Sequence, residues 1–282
     1  MFRLTGPSEA VRAAVPAELV PVFWVITLLG SAKFLMVALS LAYWNFENHR
    51  RELLAVVSVA FVAVSVTLAL KYWFALPRPP AAVQRYPVEP SPVGFPSGHA
   101  IAATVVYGGA LVALDRHRDP QTVAGVGAFV ALVGLSRVVL GVHYLGDILA
   151  GFAVGLVTLA VLVVALDRGP QVVFGVAVLC AVPAVVVTTE TGDAGLALGG
   201  SLGGLAATLL RSRAERFRSQ AERIAVNAVG VVLVGAAFVV VELVDAVLVL
   251  AVVGNFALAF AIVALPGLVG RPLPGLGAVA DR

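Results

Sequence analysis

Long apolar runs, broken only by short charged or proline- and glycine-bearing segments, fill almost the whole chain from residue 19 onward. A helix rises about 1.5 Å per residue, so about 20 apolar residues cross the hydrocarbon of a bilayer. The runs fall at 19–44, 53–76, 99–114, 123–140, 148–166, 172–187, 194–210, 224–241 and 246–265. Read as helices, they predict an all-α fold, a polytopic transmembrane bundle of about nine spans. Composition points the same way. Hydrophobic residues are 60% of the chain and charged residues 12%, whereas a soluble domain carries about 25% charged residues. That leaves too little polar surface to cover a water-soluble fold. The formal net charge of +3 does not imply nucleic acid, because the arginines sit in short clusters between apolar runs, as in cytoplasmic loops.

The first run is long for one span and contains Lys33. One solution is an interfacial helix before Gly30 and a short span at 31–44, with Lys33 reaching the outer interface. Residues 1–16 are polar and mixed in charge, and the following run lacks the short hydrophobic region of a cleaved signal peptide, so this segment is expected to be retained. Cys180 is the one cysteine, which rules out an intramolecular disulfide and a paired-cysteine metal site. The seventh run, 194–210, is rich in glycine, which suits close helix packing.

Loop charges set the expected orientation. With the N-terminus outside, the inside segments carry Arg50, Arg51, Arg116, Arg118, Arg168, Arg211, Arg213, Arg216, Arg218 and Arg223, and a cytoplasmic C-terminal tail adds Arg271 and Arg282. The outside segments carry Arg3, Arg12, Lys71, Arg78, Arg85 and Arg137. The acidic pairs Glu190/Asp193 and Glu242/Asp245 also fall outside. The arginine-rich loop at 211–223 reads as a topogenic loop that can also meet anionic lipid headgroups.

Ionisable groups are costly in so apolar a chain, and clusters of them ask for a reason. Lys71 and Arg78, with Pro79, lie at the outer end of the second run. Pro96-Ser97-Gly98-His99 opens the third run. A helix start leaves free N–H groups and a partial positive charge that attract an anion; Ser97 adds a hydroxyl, Gly98 permits close approach, and His99 adds a titratable ring. Ser136-Arg137 closes the fourth run, and His143 and Asp147 precede the fifth. Their spacing of four puts them on one helical face, where the carboxylate can fix the imidazole tautomer. All these span ends share the outer layer, so three cations, a helix start and two histidines converge on a site for a multiply charged anion such as phosphate.

These residues resemble the signature of the type 2 phosphatidic acid phosphatase (PAP2) superfamily, in its integral-membrane lipid phosphatase branch. Lys-x6-Arg-Pro is matched from Lys71 to Pro79, Pro-Ser-Gly-His from Pro96 to His99, and Ser-Arg-x5-His-x3-Asp from Ser136 to Asp147. The resemblance covers residues 31–166. It divides the chain into an N-terminal segment at 1–30, a phosphatase core at 31–166 and additional C-terminal spans at 167–282, which go beyond the six-span minimum. It implies that His143 attacks phosphorus and forms a phosphohistidine, that Asp147 orients it, and that His99 protonates the leaving group and later activates water. It implies that Lys71, Arg78, Ser97, Gly98 and Arg137 hold the phosphate oxygens. No metal and no cofactor are expected, and no cluster of acidic residues resembling a magnesium site accompanies the motifs. The expected function is hydrolysis of a lipid phosphomonoester or polyprenyl pyrophosphate at the outer face of the cell membrane, with membrane lipids as the surroundings.

Two other functions use the same residues. A phosphotransferase would pass the headgroup to an alcohol instead of water. A phosphate- or lipid-binding transporter would use the extra spans and the intramembrane Asn255. Vanadium haloperoxidase chemistry shares the anion site but belongs to soluble folds, against this composition.

Overall fold

The computed structural model describes residues 2–85, 91–210, 217, 219–244 and 247–269. Its regular elements over these residues are helices: α1 (Thr5–Ala14), α2 (Val20–Leu28), α3 (Ala32–Asn45), α4 (Arg50–Phe74), α5 (Gly98–Ala113), α6 (Pro120–Val139), α7 (Leu145–Arg168), α8 (Pro170–Val187), α9 (Thr191–Leu210), α10 (Gln220–Val244) and α11 (Leu248–Val269). One isolated antiparallel bridge joins Pro77 to Val93. Arg211, Arg213, Arg216, Arg218, Asp245, Arg271 and Arg282 lie outside the described residues, as does part of the loop before α5.

The helices begin and end where the chemistry of their termini dictates. Ser31 caps α3 by accepting from the Phe34 N–H at 3.3 Å, and Ser97 caps α5 by accepting from the Ala100 N–H at 3.4 Å. Asp119 caps α6 ahead of Pro120, where a missing N–H costs nothing. Gly169, at φ 96°, turns the chain from α7 into α8, a backbone conformation that side chains with a Cβ rarely adopt.

Among the described residues, seven helices, α4 and α6 to α11, are long and apolar enough to cross a membrane, and α5 is apolar but shorter. Adding α3, of 14 residues, reproduces the nine expected runs. The first run divides as expected into α2, a turn at Gly30, and α3. The polar segment ahead of the first apolar run, where no apolar periodicity announces a helix, forms α1, bent by 92° from the helical stretch Ala17–Leu28. Its helix buries Ser8 and Arg12, so contacts with the bundle support it where apolar periodicity does not.

α4 is the central post, packed against α5, α7, α8 and α9. Leu53, Val56, Val59, Ile101, Val105, Leu162, Val173 and Ala177 join α4, α5, α7 and α8 in one apolar core. The glycine-rich α9 lies against α11, as its composition suggests: a Cβ on Gly195 would come 2.5 Å from that of Ala251, and Cβ atoms on Gly199 and Gly203 would strike the backbone of Val252 and Phe256. Asn255 donates to the Ala251 carbonyl of its own helix at 2.9 Å, a local packing contact.

Candidate active site

The end of the bundle where α4 and α6 finish and α5 and α7 start gathers the motif residues. Arg78 leaves α4 through a loop tied back on itself: its N–H donates to the Pro92 carbonyl at 3.1 Å, and the Gly94 N–H donates to that of Leu76 at 2.7 Å. The guanidinium is buried, with Nε donating to the Ser91 carbonyl at 2.7 Å and Nη1 to that of Val142 at 3.1 Å. Nη1 also lies 3.1 Å from His143 Nε2. A guanidinium has donors and no acceptor, so Nε2 accepts, and the ring proton of neutral His143 sits on Nδ1. Nδ1 faces Asp147 Oδ2 at 3.5 Å.

His143 is 1% exposed and Asp147 fully buried. His143 sits in the turn between α6 and α7, where its N–H and that of Val142 both donate to the Arg137 carbonyl, at 3.3 and 3.1 Å. Asp147, on the first turn of α7, reaches back to accept from the Tyr144 N–H at 2.9 Å. A carboxylate on the first helical turn supplies a partner for an N–H outside the helical ladder. Arg137, in the last turn of α6, is buried, and its Nη1 donates to Thr27 Oγ1 of α2 at 2.9 Å.

α5 is joined to this group at its start. The Ser97 N–H donates to the Asp147 carbonyl at 3.1 Å, and a Cβ on Gly151 would come 2.8 Å from the Ser97 carbonyl oxygen. Gly98 packs on α4, where a Cβ would lie 3.2 Å from Thr67 Cγ2. Lys71 lies four residues past Thr67, hence on that same face of α4 and near the start of α5. His99 is covered from the α2–α3 turn: a Cβ on Gly30 would lie 3.3 Å from its Cδ2 and collide with Val133. Among the described residues, no three His, Cys, Asp or Glu side chains gather as metal ligands do.

Several site contacts escape the motif reading. Thr27 and Gly30 belong to the stretch that reads as an interfacial helix and its end, and only packing reveals their contacts with Arg137 and His99. Arg3 reads as a topogenic charge, yet its guanidinium binds Asp147 through two bonds of 2.8 Å. Ser8 accepts from the Leu145 N–H at 2.8 Å. The chain thus folds α1 and the residues before it over the start of α7. The arrangement sets an imidazole with its Nε2 lone pair toward the Arg78 guanidinium and its Nδ1 toward a carboxylate, which suits nucleophilic attack on the phosphorus of a phosphoester whose oxygens that guanidinium binds.

The family model of the PAP2 superfamily matches residues 52–169, which include every motif residue. Phosphatidylglycerophosphatase B of Bacillus subtilis (strain 168) is 40% identical over 95 residues, covering 31% of this chain and 44% of that protein. Sphingosine-1-phosphate phosphatase 2 of Homo sapiens is 32% identical over 130 residues, covering 44% of this chain and 32% of that protein. The chain thus spans less than half the length of these relatives. No solved structure matches it.

Proposed function

Because the chain carries a PAP2 superfamily domain at residues 52–169, we propose that it is an integral-membrane phosphatase that hydrolyses a lipid phosphomonoester or a polyprenyl pyrophosphate through a phosphohistidine. The observation that carries this reading is the setting of His143, with Nε2 against Arg78 at 3.1 Å and Nδ1 toward Asp147. Both matched relatives are named as phosphatases, one for phosphatidylglycerophosphate and one for sphingosine 1-phosphate. These names support a lipid phosphate as the substrate class.

In the proposed reaction, the Nε2 lone pair of His143 attacks phosphorus in line with the leaving oxygen. The P–N bond forms as the P–O bond breaks. His99 gives its proton to the departing oxygen, and Asp147 stabilises the imidazolium of the intermediate. Water then attacks the phosphohistidine, His99 takes its proton, and inorganic phosphate leaves. Phosphoryl transfer depends on positioning and on spreading negative charge. Arg78, Arg137 and Lys71 supply cations for the non-bridging oxygens. Ser97 supplies a hydroxyl, and Gly98 an N–H of the kind that a first helical turn leaves without a helical partner. We place this site at the extracytoplasmic interface, with the C-terminus in the cytoplasm, on the arginine bias of the loops.

The test is phosphate release by purified protein from a panel of lipid phosphates and pyrophosphates, scored against headgroup transfer to an added alcohol. Free phosphate from at least one lipid, lost in His143→Ala, is the expected result. Headgroup transfer without phosphate release favours the transferase. Binding or vesicle transport without bond cleavage removes the hydrolase reading.

A further inference from the structure

We infer that Arg3 is a positioning residue for this site, setting the carboxylate of Asp147 and joining the start of α7 to the Arg78 loop; the inference rests on the phosphatase reading above. Asp147 is fully buried, so its charge needs partners. The nearest is not the histidine. Arg3 Nε lies 2.8 Å from Oδ1 and Nη2 2.8 Å from Oδ2, while His143 Nδ1 lies 3.5 Å from Oδ2. A planar guanidinium fork on a carboxylate fixes the carboxylate plane as well as its distance. Arg3 therefore decides how Oδ2 is presented to His143.

The remaining edge of the guanidinium has its own partner. Nη1 donates to the Pro77 carbonyl at 2.8 Å, one residue before Arg78, and the group lies over the Tyr144 ring, 4.6 Å from its centroid. All three nitrogens of Arg3 are thus engaged by the protein itself. The backbone holds the segment in register. The Gly146 N–H donates to the Arg3 carbonyl at 3.0 Å, and the Leu145 N–H donates to Ser8 Oγ. These are first-turn N–H groups of α7, which a helix leaves for outside partners. Gly146 leaves no room for a side chain, since a Cβ there would come 2.6 Å from Arg3 Cα.

The chemical consequence concerns the intermediate. The fork holds both carboxylate oxygens, so Asp147 presents Oδ2 to the Nδ1–H of the imidazolium in one fixed orientation. Arg3 touches no substrate atom in this scheme, so its loss acts on the chemical step rather than on binding.

The experiment compares wild type, Arg3→Lys and Arg3→Ala for phosphate release from a lipid phosphate that the wild type hydrolyses. A wild type that releases no phosphate from any lipid overturns the phosphatase reading itself, independently of Arg3. With an active wild type, Arg3→Ala is expected to lower kcat by about 10- to 100-fold, as for groups that orient a reacting side chain, with KM changed less than about two-fold. Guanidinium chloride at about 10 mM should restore part of that rate by refilling the fork. Arg3→Lys keeps the charge but not the fork, so it should fold with the wild-type melting temperature and still lose kcat. Wild-type kcat in Arg3→Lys overturns the inference, as does a loss carried by KM. If Arg3→Ala does not fold, the lysine variant decides alone.

Discussion

The indole N–H of Trp44 donates to the carbonyl of Ile262 at 3.0 Å, four residues before Pro266 inside α11. The two facts are linked. Proline has no N–H, so the carbonyl four residues earlier loses its helical donor. No water reaches such a group in hydrocarbon, so another side chain must supply the bond. Trp44 supplies it from α3, and the adjacent Tyr43 hydroxyl donates to the Val263 carbonyl at 3.1 Å. The C-terminal spans, which the PAP2 match does not reach, are thereby fastened to the front of the bundle. Trp44→Phe should lower stability by about 1 kcal/mol, the scale of one hydrogen bond within a membrane bundle. Pro266→Ala, which returns an N–H to the helix, should recover part of that loss. Thermal unfolding in detergent of both single variants and the double variant measures the coupling; strictly additive effects show that Trp44 acts by packing alone.

The α9–α11 contact makes a second stability prediction. Gly199 and Gly203 leave no space for a Cβ against the backbone of Val252 and Phe256, whereas one on Gly175 of α8 would meet nothing within 4 Å. Gly199→Ala and Gly203→Ala must push two backbones apart and should each cost about 1–3 kcal/mol. Gly175→Ala should be neutral or slightly stabilising, since alanine favours a helix. Equal melting temperatures for all three variants contradict the observed packing.

Separating the two proposed roles of His99 needs a substrate whose leaving group requires no proton. Against a lipid phosphate, His99→Ala should be slowed by about 10²- to 10⁴-fold, the usual worth of general acid–base catalysis. Against an aryl phosphate with an acidic phenol, the first step survives and only water activation fails. A burst of phenol equal to the enzyme concentration should follow, with phosphate held on His143. Rapid-mixing absorbance reads the burst, and His143→Ala should show none. A burst in the His143 variant would move the nucleophile to another residue.

Much of this arrangement is legible in the chain, because each motif residue lies close to the end of an apolar run and those ends must share a layer. Lys71, Arg78, His99, Arg137, His143 and Asp147 need only the rule that consecutive spans reverse direction. Arg3 is different. It stands 144 residues from Asp147, in the turn just before a short polar helix, so no local pattern connects it to α7. α1 is hidden for the same reason, its buried Ser8 and Arg12 being residues that usually face water. The break at Gly30 is visible as punctuation, but its contact with His99 depends on how α2, α5 and α6 cross, which periodicity does not encode.

Gly30 gives the sharpest link between packing and chemistry. A Cβ there would collide with Val133 of α6 and stand 3.3 Å from His99 Cδ2, so alanine must displace the α2–α3 turn or the imidazole. Val133 is fully buried and has little room to yield. The α2–α3 turn therefore has to move, and its contact with the ring moves with it, so the imidazole is expected to shift by an amount small for folding but large for proton transfer, where misplacement of about 1 Å can cost about 100-fold. Gly30→Ala should reduce kcat on a lipid phosphate by about ten-fold or more. It should leave the first step on an aryl phosphate near wild type, because that leaving group needs no acid. Comparing the two substrates in one variant separates a displaced proton donor from a general loss of fold. Equal losses on both substrates would show that Gly30 supports the bundle and does not place His99.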